Sequence, residues 1–386
     1  MSVYHHLSVA IPVLDEQDNL PHMIDRLRRQ TFRNFTTYIC VNNEEQGYGF
    51  AQNQATLRQL HSIHDLPLAI IDRSSPGVGW SGKKKGVGWA RKVLLDRIMA
   101  DHDTDGIVVS LDADTDFDDN YLEAVWDTLN ANPEYRAFCV PYYHPLSGDS
   151  NLDRPMLRYE CYMRHYMIQL LRIGNPYAFT ALGSAMAFPL SAYRRAGGIT
   201  PLQGGEDFYL MQKLAKTGTI TLHFSTPSLS HATVRPQGRK SSRVPFGTGP
   251  AIAAGLDTMD SRYPFYSPEG AAAVKATFDS FPTLYEHDVE TPMSPFLRQQ
   301  LGTPDLWSPL RKNFRTPMHF TRACAERVDG LRILQYLKNT PAYRLKSDTL
   351  PVDFRRSSIE ELNTYRDQLF VQETTLRLKN SSGITQ

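Results

Sequence analysis

The stretch Ile107-Val-Val-Ser-Leu-Asp112-Ala-Asp114-Thr-Asp116 runs a short apolar segment straight into three carboxylates. Apolar runs of this length, rich in β-branched residues and closed by a polar turn, form strands buried inside a sheet. Leu7-Ser-Val-Ala-Ile-Pro12, Tyr38-Ile-Cys-Val41 and Leu68-Ala-Ile-Ile71 have the same form. Helical stripes lie between them. Leu20, Met23, Ile24 and Leu27 fall at i, i+3, i+4 and i+7, and Leu122, Val125, Trp126 and Leu129 repeat that spacing after the fourth strand. Strands alternating with helices predict an α/β fold, with a mostly parallel sheet flanked by helices on both faces. Ligands of such sheets bind beyond the carboxyl ends of the strands, so the residues after Pro12, Val41, Ile71 and Leu111 share one rim.

Further along, Met163, Tyr166, Met167 and Leu170 mark one face of a helix over about 155–172. A mixed region follows to about residue 235. Beyond about residue 250 the strand runs stop, and Pro-rich loops alternate with helical stretches such as Leu331 to Leu337. The expected division is a catalytic domain over 1–248 and a mainly helical C-terminal extension over 249–386, packed on it. No internal repeat is visible.

The 42 Lys and Arg nearly cancel the 41 Asp and Glu of this 386-residue chain, so no global basic field exists to recruit nucleic acid. Any anion must be held by a local cluster. Cys40, Cys139, Cys161 and Cys324 form no C-x-x-C pair, which argues against a zinc ribbon or a disulfide framework and fits a reducing compartment. No basic, then apolar, leader opens the chain, and no run of about 18 apolar residues occurs. The expectation is a cytoplasmic protein, or one peripheral at the inner face of a membrane, without a membrane span.

Asp112 and Asp114, at i and i+2 after a buried strand, repel each other unless a positive charge stands between them. A hard cation with oxygen ligands, Mg²⁺ or Mn²⁺, answers that need and leaves coordination positions open to a diphosphate. Asp118 or Asp119 is expected to cap the helix at Tyr121. Gly77-Val-Gly-Trp-Ser-Gly-Lys-Lys-Lys-Gly-Val-Gly-Trp-Ala-Arg91 offers backbone N–H groups and cations suited to phosphate. Gly204-Gly-Glu206-Asp207 opens an amphipathic helix running towards Leu214, with carboxylates placed to take a proton. His231 and then Arg235, Arg239, Lys240 and Arg243 stand in a loop rich in Gly, Pro and Ser, where guanidinium groups suit a diphosphate and a loop could close over it.

In order and spacing, Ser8-Val-Ala-Ile-Pro-Val-Leu-Asp-Glu16, Leu27-Arg-Arg-Gln-Thr-Phe32, the D-x-D at 112–114, Asn120-Tyr-Leu-Glu-Ala124, Gly183-Ser-Ala-Met186 and Gly204-Gly-Glu-Asp207 resemble the family 2 glycosyltransferases of GT-A (Rossmann-like) fold. The resemblance spans about residues 7–235. It implies donor contacts from Pro12, Leu14, Glu16, Asn42, Asp72, Lys85, Arg91, Asp112, Ala113, Arg235 and Arg243. It also implies metal ligation by Asp114 and His231, a catalytic base in Asp207 and support from Glu206. Many members carry aspartates where this chain has Asn42-Asn43, so the base stays open, with a UDP-sugar favoured.

The implied reaction is transfer of a sugar from a nucleoside-diphosphate sugar to a hydroxyl acceptor, with a glycan or lipid-linked glycan as the acceptor class and with the inversion usual for the family. Processive members carry Q-x-x-R-W and membrane helices, and both are missing here. A sugar nucleotidyltransferase would need a glycine-rich loop with Arg and Lys after the first strand, and Val13-Leu-Asp-Glu-Gln-Asp18 has none. A catalytically silent binding protein of the same fold has no chemical need for Asp112, Asp114, Asp207 and His231 together. Tyr142, Tyr143, His144, Tyr159, Tyr162, His165 and Tyr166 form either an acceptor surface or core. The C-terminal region is the candidate acceptor or homodimer surface.

Overall fold

The computed structural model describes residues 3–45, 47–82, 84–225, 232–241 and 243–382. The chain resolves into two units. One comprises residues 1–156, 179–255 and 377–386, and the other residues 157–178 and 256–376.

Among the described residues the first unit holds the named strands: β1 (Leu7–Val13), β2 (Phe35–Asn42), β3 (Leu68–Arg73), β4 (Ile107–Ser110), β5 (Thr115–Asp116), β6 (Ala137–Cys139), β7 (Met186–Pro189), β8 (Ile220–Thr221) and β9 (Arg235–Pro236). Seven form one sheet in the order β3-β2-β1-β4-β7-β6-β8. β1 pairs in parallel with both β2 and β4, and β2 with β3, whereas β7 runs antiparallel to β4 and β6. The four apolar runs read from the sequence are the four adjacent parallel strands. Every residue of β4 is buried, which is why its sequence shows no alternation.

Helices α1 (Leu20–Arg29), α2 (Phe50–His61), α3 (Val87–Asp101) and α4 (Tyr121–Ala131) form the crossovers. Leu20, Met23, Ile24 and Leu27 are all buried on α1, each worth about 1.5–3 kcal/mol of transfer free energy. On α4 the stripe is less complete, because Trp126 stays half-buried and packs on Phe32. The expected cap of α4 by Asp118 or Asp119 is not formed. Asp118 accepts from Arg235 (2.7 Å), Asp119 lies in ion-pair range of Arg26 and Arg29, and the first-turn N–H of Leu122 donates instead to Gln30 Oε1 at 2.9 Å. Gln30, just past α1, is fully buried, and its Nε2 donates to Asp118 O (2.9 Å). Its Nε2 also donates to Arg26 O in the last turn of α1 (3.2 Å), so one amide closes two helix ends, a pairing no local sequence window contains.

Helices α5 (Ser150–Arg172), α6 (Leu190–Arg195), α7 (Glu206–Thr217) and α8 (Thr248–Arg262) follow, with a kink in α8 at Gly255. The second unit contains no named strand among the described residues. Its helices are α9 (Pro268–Asp279), α10 (Phe281–Glu286), α11 (Ser294–Leu301), α12 (Ser308–Asn313), α13 (Pro317–Arg327), α14 (Gly330–Asn339) and most of α15 (Ile359–Ser382). Among the described residues no helix is long and apolar enough to cross a membrane.

Candidate active site

Beyond the carboxyl ends of β1, β2 and β4, the first unit opens into a cleft of about 250 Å³. Pro12, Leu14, Glu16, Asn42, Arg91, Asp112, Ala113, Asp114, Glu206, Asp207 and Arg243 all line it. These residues run from position 12 to position 243 of the sequence, and the rim of a parallel sheet is what gathers them.

Arg91 is the cationic centre. It projects from α3, is almost wholly buried, and pairs with Asp112 Oδ1 through one terminal nitrogen and with Glu206 Oε1 through the other. Its Nε donates to Ser110 Oγ (3.3 Å), which in turn donates to Gly183 O (2.7 Å). Burial opposes the charge on Arg91, but the carboxylates of Asp112, Glu206 and Asp207 outweigh it and raise the pKa. Glu206 and Asp207 begin α7 because Gly205 caps it with φ 77°, a backbone conformation costly for any side chain with a Cβ. Arg91 takes Glu206 and leaves Asp207, whose hydrogen bond comes from Phe208 N at 2.7 Å. Among the described residues no ion pair holds Asp207. Burial and the neighbouring Glu206 carboxylate, against the pull of Arg91, push its pKa up to about 7.

A second cluster gathers on the β1 side. The two-stranded ribbon β5–β9 pairs Thr115 with Pro236 and Asp116 with Arg235, so the chain leaving β9 returns over the D-x-D turn. Arg239 then pairs with Glu16 Oε1 and with Asp114 Oδ2 (2.9 Å), while Arg243 reaches Glu16 Oε1 (2.8 Å) and Leu14 O (2.5 Å). Burial drives the Asp114 pKa up to about 7. Arg239 and Arg243 hold it down, while Asp112 and Glu16 add to the rise. Burial is thus the larger cause of the rise, since Arg239 already pairs with Asp114.

Other expected residues stand elsewhere. Asp72 accepts from Ser74 N (2.8 Å), Ser74 Oγ (3.0 Å) and Ser75 N (3.0 Å), closing the turn after β3; burial alone would raise its pKa, but these bonds bring it below the usual value. Lys85 pairs with Glu44 (3.0 Å) before α3 begins, and Arg235 is held by Asp116 (3.1 Å) and Asp118 (2.7 Å). None of the three lines the cleft. Asn42 does, yet its Nδ2 already donates to Val13 O (2.9 Å) and its Oδ1 accepts from Trp80 Nε1 (3.1 Å). A base edge would therefore meet an amide already engaged. His231 lies outside the described residues.

Sequence reasoning placed Arg239 in the basic loop but not in the site, because pairing across β5–β9 decides which arginines turn inward. His144 also lines the cleft, with Nε2 3.3 Å from Thr248 Oγ1, as does the exposed Phe246. The rest of the aromatic set is not cleft-lining. Tyr142 is buried, and Tyr159, Tyr162 and Tyr166 pack with Tyr263 and Tyr266 inside the second unit.

Asp112 and Asp114 supply hard oxygen donors two residues apart on the rim of the cleft. Among the described residues no cage of three or more His, Cys, Asp or Glu converges. Such a donor set fits Mg²⁺ or Mn²⁺ in the mode in which one or two carboxylates are completed by substrate phosphates and water.

Residues 107–253, less than half of the chain, match the family described as "Glycosyl transferase family group 2". This segment runs from β4 into α8 and carries Asp112, Asp114, Glu206, Asp207, Arg239 and Arg243, so the match covers the acidic half of the cleft. No curated protein matches the chain at a significant level. Among solved structures it is similar to S. aureus TarS 1-349 in complex with UDP-GlcNAc, at 12% identity, 83% of this chain, 90% of that one and a TM-score of 0.43. It is also similar to the mannosyltransferase PcManGT from Pyrobaculum calidifontis in complex with GDP-Man and Mn²⁺, at 16% identity, 84% and 87% coverage and a TM-score of 0.38.

Proposed function

We propose that this chain is a metal-dependent glycosyltransferase that moves a sugar from a nucleoside-diphosphate sugar, UDP-sugar favoured, to a hydroxyl acceptor. The carrying observation is the convergence of Asp112, Asp114, Arg91, Glu206 and Asp207 in one cleft at the strand ends, within the matched segment. A nucleotide lies against Pro12, Leu14 and Asn42, with its ribose near Glu16 and Asp112. Asp114 and Asp112 are the residues that would hold the Mn²⁺ or Mg²⁺ ion. When bound, such a cation neutralises charge on the leaving nucleotide.

The chain's own residues supply the rest. Asp207, unpaired and titrating near neutrality, accepts the acceptor's hydroxyl proton as that oxygen attacks the anomeric carbon. Glu206, fixed by Arg91, holds the opening of α7 and keeps the base in place. Arg239 and Arg243 exchange Glu16 for diphosphate oxygens as the donor enters, since guanidinium groups pair with either anion. A single attack from the Asp207 side inverts the anomeric centre. Transfer is read as non-processive, in keeping with a sequence that has no Q-x-x-R-W motif after Asp207.

A screen of UDP-, GDP- and dTDP-sugars with Mn²⁺ or Mg²⁺, read by donor hydrolysis and calorimetric binding, tests the reading. One donor should bind with metal, and Asp114→Ala should weaken it at least tenfold. Absence of binding to every donor with both metals, or unchanged binding in Asp114→Ala, sinks the proposal.

A further inference from the structure

A second cavity, of about 580 Å³, lies wholly within the unit formed by residues 157–178 and 256–376. That volume falls in the range of about 300–1,000 Å³ usual for small-molecule sites. Arg158 of α5 forms part of its wall. The side chain is 4% exposed, with its guanidinium carbon 4.3 Å from the ring centre of Phe265 and 5.3 Å from that of Phe354. Its Nη2 donates to Tyr263 O (3.0 Å) and reaches Asp260 Oδ1 at 3.4 Å. Its Nη1 is buried with no hydrogen-bond partner among the described residues.

Asp260 is a poor counter-ion for so buried a cation. It is half exposed and lies equally far, 3.4 Å, from Arg355, which pairs more closely with Asp257 (2.6 Å). Burial accordingly holds the Arg158 pKa below the usual arginine value despite Asp260. Arg344, also in the wall, donates to Lys338 O (2.7 Å), and among the described residues no carboxylate pairs with it. A buried charge that lacks its full set of partners is costly, and buried nitrogens without bonds are rare in folded proteins. An incoming oxyanion supplies the partner that the buried Arg158 lacks, and the exposed guanidinium of Arg344 on the same wall can meet the same anion.

The wall is not purely cationic. Asp348 is exposed there without an ion pair among the described residues, which disfavours a bare anion but accepts hydrogen bonds from hydroxyl groups. We propose that this cavity is a binding site for a small hydroxyl-bearing oxyanion, a sugar phosphate or sugar acid, whose anionic group meets Arg158 and Arg344 and whose hydroxyls meet Asp348. The site shares no residue with the cleft, so it stands or falls independently of the transferase reading.

Calorimetry on the full chain with glucose 6-phosphate, glucuronate, inorganic phosphate and glucose tests it. One of the two charged sugars should bind saturably, at least tenfold tighter than phosphate or glucose, and Arg344→Ala should weaken it tenfold or more. Arg158→Lys, which keeps the cation but loses the planar fork, should also weaken it. Asp114→Ala, in the cleft, should leave it unchanged. The site is refuted by lack of binding of both charged sugars, by equal binding of all four probes, by unchanged affinity in Arg344→Ala, or by loss of binding in Asp114→Ala.

Discussion

Gly183 and Arg91 compete for one volume: a methyl group built on Gly183 would fall on the Arg91 guanidinium, far inside contact distance. The missing side chain lets Arg91 pass between Asp112 and Glu206 and lets Ser110 link Arg91 Nε to the Gly183 carbonyl. Both acidic motifs thus hang on one buried cation admitted by one glycine.

Gly183→Ala should therefore behave as a mutation of Arg91. Overpacking alone costs about 1–3 kcal/mol, and a displaced Arg91 leaves the buried Glu206 unpaired, at about 3–5 kcal/mol. Chemical denaturation should show a loss in that combined range, and donor hydrolysis should fall with it. A Gly183→Ala protein of wild-type stability and activity would mean that Arg91 is not so constrained.

Asp207→Asn should lower turnover about 10²–10⁴-fold, the span of general-base catalysis, while donor affinity stays within a few-fold of wild type. Because a base works deprotonated, the wild-type rate should rise with pH and level off above about 7. Loss of donor binding instead of turnover, in binding and steady-state assays run side by side, would remove Asp207 from the role of base.

Asp114 and Asp207 make the metal-free protein sensitive to pH. Both pKa values rise from 3.8 to about 7 on folding, so between these values the folded chain holds protons that the unfolded chain has released. Stability then falls as pH rises through that window, and above it the full penalty is present. Without metal, the protein should melt lower at pH 7.5 than at pH 5.5, and Asp114→Asn should recover about 2 °C or more at pH 7.5. A melting temperature that rises over this interval through these two groups would contradict the assignment.

The four parallel strands were legible because strands buried on both faces read as unbroken apolar runs, as Ile107 to Ser110 do. The cleft's acidic residues were legible for a related reason: Asp112 follows a strand end and Glu206 a glycine cap, both visible within a few residues. What depends on distant pairing was not legible. Gln30 caps α4 from the far end of α1, and Asn42 spends its amide on Val13 and Trp80. Composition of a loop does not say which of Arg235, Arg239 and Arg243 turns inward. The register Asp116↔Arg235 decides that.

That register separates two arginines by function. Arg235 is tied to Asp116 and Asp118 outside the cleft, whereas Arg239 bridges Glu16 and Asp114 inside it. Arg239→Ala should lose charge-assisted bonds worth about 1.5–3 kcal/mol and weaken donor binding roughly tenfold or more. It should also raise the Asp114 pKa further, since Arg239 holds it down, and shift metal-dependent donor binding to higher pH. Arg235→Ala should leave donor affinity unchanged and cost no more than about 1 kcal/mol of stability, as partly exposed ion pairs do. Calorimetric titration of both variants at pH 6.5 and pH 8 distinguishes them. A donor-binding defect in Arg235→Ala with none in Arg239→Ala would place the diphosphate on the other side of the β5–β9 ribbon.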